Sequence, residues 1–147
     1  MIKMQWKTLE DIQSDISSCT YDILDFYRIY NNKQYPREYD IYIKEGFKSL
    51  FRAYFEICNA YLLLKSQQRY NGRKHKNYID YLDNLVSRGL LPEWSVDFLD
   101  SSKKLRNAKA HGYLIPEFDL IYGFVEDNKE TLKMLTEYII KNTRDEI

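Results

Sequence analysis

Two histidines, His75 and His111, are the only side chains in the 147 residues whose ordinary proton exchange falls near neutral pH. His111 closes the run Arg106-Asn107-Ala108-Lys109-Ala110-His111-Gly112-Tyr113. Arginine is a permanent, fork-shaped cation that matches phosphate oxygens. Asn107 beside it can orient the imidazole or a phosphate oxygen, and Lys103, Lys104 and Lys109 add positive potential suited to binding RNA. These are the parts needed to cleave RNA without a metal. A base takes the 2′-OH proton, a cation stabilises the crowded phosphorane, and an acid protonates the leaving 5′-oxygen. One histidine cannot readily be base and acid at once, and a symmetric homodimer would supply the second copy. An uninterrupted helix sets residues five apart about 140° from one another, so Arg106 and His111 converge only if Gly112 unwinds the last turn.

The other candidates carry less chemistry. Arg69-x5-His75 also satisfies the loose arginine-to-histidine spacing, but no asparagine follows its arginine. That stretch, with Arg73, Lys74 and Lys76 around Gly72, is expected to be a solvated loop in which Arg73 and Lys74 touch RNA backbone. Cys19 and Cys58 lack metal-ligand or CxxC spacing and are expected as reduced thiols in a core. The carboxylate pairs Glu10/Asp11 and Glu126/Asp127 point apart on a helix and are expected as surface charge. Nothing resembles a phosphate-binding glycine loop, a dinucleotide turn or a nucleophile elbow. No cofactor and no metal are therefore expected, and cleavage should persist in EDTA.

Helices must position these residues. Thr8-Leu9-Glu10-Asp11 has the cap and the acids of a helix start. Leu9, Ile12, Ile16, Cys19, Ile23, Phe26 and Tyr30 then form one stripe at spacings of three and four. A second helix is expected from about Arg37 to Ser66, with Ile43, Phe47, Leu50, Tyr54, Cys58, Tyr61 and Leu64 inward. Phe51, Phe55 and Leu62 widen that face, as in the central helix of a bundle or one shared with a subunit contact. Shorter helices follow over about 78–88, capped by Gly89, and about 94–110, with Gly112 and Pro116 interrupting the second. A last helix is expected over roughly 119–141. No segment alternates at period two, so residues 1–147 read as one all-α domain, an antiparallel bundle of four to five helices.

The fuller pattern Arg106-x4-His111-x-Tyr113, with Asn107 after the arginine and a place near a helix end, resembles the HEPN superfamily. It is similar to the RX4HXY signature of HepT-type ribonuclease toxins. The resemblance extends to helix order, two long helices, a shorter one, the motif helix and a closing one, and more weakly to Arg88-Gly89-Leu90-Leu91-Pro92. It implies a HEPN-like bundle, a homodimer with motifs facing across the interface, and metal-independent endoribonuclease activity. Arg106 and His111 would be catalytic, with Asn107 assisting. It also implies a toxin–antitoxin or phage-defence role, with a nucleotidyltransferase antitoxin that adds AMP to Tyr113. The alternative within the same resemblance is a non-catalytic helical module that binds a nucleotidyltransferase or a nucleotide.

Composition is compatible with a nucleic-acid partner despite a formal charge of zero from 22 basic and 22 acidic residues. Residues 57–116 carry ten Lys and Arg against five acids, and the remainder carries 12 against 17, so a segment of +5 adjoins one of −5. No acid occurs between Asp100 and Glu117, around the motif. The longest apolar runs are too short to span a bilayer, and the first residues lack the apolar core of a secretory signal. No membrane partner and a cytoplasmic location are expected.

Overall fold

The computed structural model describes residues 8–71, 77–106 and 116–144, and all of their regular structure is helical. Helix α1, Leu9–Asn32, begins at a reciprocal cap: the Asp11 N–H donates to Thr8 Oγ1 (3.1 Å) and the Thr8 N–H donates to Asp11 Oδ2 (3.2 Å). It ends where Lys33 turns left-handed (φ 55°) and its N–H reaches the carbonyls of Ile29 and Tyr30. Pro36 and a 3-10 turn, Arg37–Tyr39, precede α2, Asp40–Ser66, so the second helix starts three residues later than its spacing suggests. Asn77 caps α3, Tyr78–Ser87, by accepting from the Asp80 N–H. Gly89 (φ 74°) closes α3. Its N–H bonds Val86 O and the Leu90 N–H bonds Leu85 O, the paired pattern that a left-handed glycine makes possible. A second 3-10 turn, Glu93–Ser95, leads into α4, Val96–Arg106. The last helix, α5, Glu117–Arg144, bends at Asn128 (φ −124°, ψ 21°), whose side-chain amide donates to the Phe124 carbonyl.

Side-chain partners fix the directions. From Thr20 to Tyr30, α1 meets Thr136, Glu126, Tyr122 and Phe118 in that order, so α1 and α5 are antiparallel. Cys19 meets Leu50, Phe26 meets Gly46, and Tyr30 lies near Lys44, so α1 and α2 are antiparallel too. It follows that α2 and α5 run the same way, with α3 and α4 as the return between them. Helix α2 is the central element. Phe47, Phe51, Tyr54, Phe55, Ile57, Cys58, Ala60, Tyr61 and Leu62 are all buried by the chain's own helices, which accounts for its broad apolar face. Phe51 and Phe98 both meet the ring of Phe124, at 5.9 and 5.3 Å between centroids.

A polar knot ties the three long helices at the centre of this core. Thr20 of α1 and Thr136 of α5 share a 2.8 Å hydrogen bond, and the Tyr54 hydroxyl of α2 donates to the Leu132 carbonyl (3.1 Å) beside Thr136. Buried hydroxyls without partners are costly, so the knot favours the one register that pairs them all. Cys19 and Cys58 are buried free thiols. Burial, with Asp22 and Asp15 nearby, pushes the Cys19 thiol up to about 12, and burial pushes Cys58 up as well, so both stay protonated. No helix among the described residues is long and apolar enough to cross a membrane.

Candidate functional site

Arg106 is the last residue of α4, whose final turn is basic at Lys103, Lys104 and Arg106. Each of the three is engaged. Arg106 Nη2 lies 2.7 Å from Glu56 Oε1 of α2, and its guanidinium sits 5.8 Å from the Phe55 ring centroid. Lys104 pairs with Asp100 one turn earlier (3.1 Å). Lys103 Nζ stands 5.3 Å from both the Tyr70 and the Tyr78 rings, a cation–π arrangement on two faces. The positive potential read from the sequence is thus partly spent inside the molecule.

The Arg106–Glu56 contact is an ion pair without an aligned hydrogen bond, because Glu56 Oε1 is a buried atom that receives none. Both side chains remain about two-fifths exposed, at 43% and 40%. A pair this exposed contributes about 0–1 kcal/mol to stability.

Glu56 also lines a cleft of about 160 Å³ with Asn59, Arg69, Tyr70 and Tyr81. The Tyr78 hydroxyl donates to Asn59 Oδ1 (2.8 Å), and the Tyr81 hydroxyl donates to the Gln68 carbonyl (2.8 Å). Burial raises both phenols above their ordinary value, so at neutral pH they are donors. Arg69, the arginine of the looser motif, therefore lines the same small cleft as the carboxylate that holds Arg106.

The turns of α2 before Glu56 also hold the start of α5. Glu117, only 13% exposed, opens α5 and pairs with Arg52 and Lys48. Burial opposes its ionisation, but the Arg52 hydrogen bond and charge, with Lys48, outweigh that and hold the carboxyl below its usual value. Arg52 and Lys48 stand one and two turns before Glu56 in α2. Arg106 of α4 and Glu117 of α5 thus both pair with neighbouring turns of α2.

Asn107, Lys109, His111 and Tyr113 lie outside the described residues, as do Arg73, Lys74 and His75. Arg106, Lys103 and Lys104 occupy one end of α4. Among the described residues no three His, Cys, Asp or Glu side chains come together as a metal cage requires. Sequence reasoning missed Glu56, Asn59 and Tyr70. A signal for Glu56 was present: a carboxylate between Phe55 and Ile57, on the apolar half of a helix, calls for a cationic partner. No protein-family model, curated protein or solved structure matches the chain.

Proposed function

We propose that the chain is a metal-independent endoribonuclease of HEPN type. Arg106 would bind the scissile phosphate and offset the charge of the phosphorane, with Asn107 assisting. His111 would remove the 2′-OH proton as the 2′-oxygen bonds to phosphorus. The bond from phosphorus to the 5′-oxygen then breaks, and His111 of a second copy would protonate the leaving oxygen. This division of labour is the reason for proposing a homodimer. The biological role we infer is that of a cytoplasmic toxin in a toxin–antitoxin or phage-defence pair, with Tyr113 the residue that a nucleotidyltransferase antitoxin modifies.

One observation carries the reading. The motif arginine shares a turn of α4 with Lys103 and Lys104, and is held by a half-exposed, poorly aligned carboxylate and the face of Phe55. The same pair favours a second reading, in which Arg106 is structural and the chain is a non-catalytic module for a nucleotidyltransferase or a nucleotide. Cleavage of a labelled RNA in EDTA separates the two. Wild type is expected to cut, and His111→Ala and Arg106→Ala are expected to lose cutting while keeping the helical circular-dichroism spectrum. Equal cutting by His111→Ala would overturn the first reading.

A further inference from the structure

A second cationic site lies at the far end of α2 from Arg106. The turn that joins α1 to α2 borders a shallow, open concavity of about 560 Å³, lined by Tyr30, Lys33, Tyr35, Arg37, Asp40, Ile41 and Lys44. Three cations and one carboxylate therefore face it. Asp40 is already occupied: the Tyr35 hydroxyl donates to it (2.6 Å) and Lys44 pairs with it (3.0 Å). Lys44 also stands near the Phe118 ring and Asp119 at the start of α5.

Lys33 also adds its charge to the Asp40 environment, so the lining carries three cations against one carboxylate, an excess of two. Neither Lys33 nor Arg37 forms an ion pair with a carboxylate among the described residues; Lys33 instead sits over the Tyr30 ring at 3.7 Å. Glu38, next to Arg37 in sequence, does not line the concavity. At the end of α4, Lys104 and Arg106 pair with carboxylates and Lys103 sits against two rings, much as Lys33 sits over one.

Aromatic faces accompany the charge. Tyr39 and Tyr42, 52% and 72% exposed, belong to the same stretch of chain as Arg37 and Asp40. The groove itself is lined by the Tyr30 and Tyr35 rings as well as by cations, and rings for bases with cations for phosphates are the components that bind single strands. Position fits as well. Lys44 and Glu56 are 12 residues apart in α2, about 18 Å along its axis, a span of a few nucleotides. Between them stand Lys48 and Arg52, which hold the start of α5.

We propose that this concavity is a backbone-binding subsite for single-stranded RNA, in which Lys33 and Arg37 each neutralise a phosphate at a distance from the cut. The proposal rests on the reading of RNA as substrate. It assigns RNA contacts to the α1–α2 turn, apart from the cations at the end of α4.

The test is fluorescence anisotropy with a labelled 2′-O-methyl oligonucleotide of roughly ten nucleotides, which cannot be cut through a 2′-OH. Each phosphate neutralised on a single strand contributes about −0.7 to the slope of log affinity against log salt. Lys33→Ala/Arg37→Ala is therefore expected to flatten the slope by about 1.4, so that the loss of affinity between 50 and 200 mM salt shrinks about sevenfold. Lys33→Arg/Arg37→Lys should keep the wild-type slope, and so should Lys133→Ala/Lys141→Ala, which removes two remote cations. An unchanged slope in the first variant would overturn the proposal. So would the same flattening in the remote variant, no binding of the oligonucleotide to wild type, or binding of AMP alone at these residues. Cleavage of ordinary RNA in parallel separates the two claims. A chain that binds through Lys33 and Arg37 but never cuts contradicts the nuclease alone. One that cuts while the double variant binds as wild type contradicts the subsite alone.

Discussion

Glu56→Gln removes the charge that faces Arg106 and preserves the size of the side chain. The wild-type pair is close (2.7 Å), yet both partners are about two-fifths exposed and the contact lacks an aligned hydrogen bond. A pair of this kind contributes about 0–1 kcal/mol to stability. In a chain of this length 1 kcal/mol moves the melting temperature by about 2–4 °C, so the variant should melt within about 4 °C of wild type. The same quantity bounds the effect on activity. If Arg106 must leave Glu56 to reach a phosphate, freeing it recovers at most about 1 kcal/mol, or about a fivefold gain in kcat/KM. Initial rates on a fluorophore–quencher RNA in EDTA, with melting followed at 222 nm, measure both. A tenfold fall in kcat/KM at an unchanged melting temperature would refute this reasoning, since Glu56 would then be holding Arg106 in its working position.

Three further outcomes follow from the packing. Glu117→Gln should lose about 1–2 kcal/mol at pH 7, because Arg52 and Lys48 lose their carboxylate partner. Since the folded carboxyl sits below its usual value, that increment is present above about pH 4.5 and fades as pH falls through the folded value. Urea unfolding of the two proteins should therefore converge as pH falls below about 4.5. Gly89→Ala puts a Cβ into open space, so only its left-handed backbone (φ 74°) is penalised, by about 1 kcal/mol in chemical denaturation. Tyr54→Phe removes the hydroxyl bonded to the Leu132 carbonyl and Thr136 and should lose about 1–2 kcal/mol by the same measurement, with the fold intact.

Local signals made most of the fold legible. Thr8 with Asp11, Asn77 with Asp80, and Gly89 act within one turn, so the bounds they set follow from neighbouring residues. Helical spacing located the stripes but not their edges. Phe26 fits the α1 stripe, yet Tyr27 is the buried residue, because its hydroxyl donates to Glu126 of α5 (3.1 Å) and its ring stacks on Tyr122. That partner is 99 residues away. Leu50 and Leu64 are only half-buried while Ile57 and Ala60 are buried, since neighbours on several sides replace the single face that a period of 3.6 describes. The site was legible as residue types but not as electrostatics. Lys103, Lys104 and Arg106 read as free positive charge, and their partners Tyr70, Tyr78, Asp100 and Glu56 come together only through the packing of α2, α3 and α4. Lys33 and Arg37 lie in a part of the chain whose net charge is negative, so charge summed along the sequence concealed them.

The chemistry of the product ends tests the central claim most directly. Attack by the 2′-OH, with proton transfer at His111 and charge stabilisation at Arg106, must leave a 2′,3′-cyclic phosphate on one fragment and a 5′-hydroxyl on the other. Mass spectrometry of RNA cut by the wild-type chain in EDTA should show those ends, and none after treatment with His111→Ala. Fragments carrying 3′-hydroxyl and 5′-phosphate ends, or the same cyclic ends from His111→Ala, would contradict it.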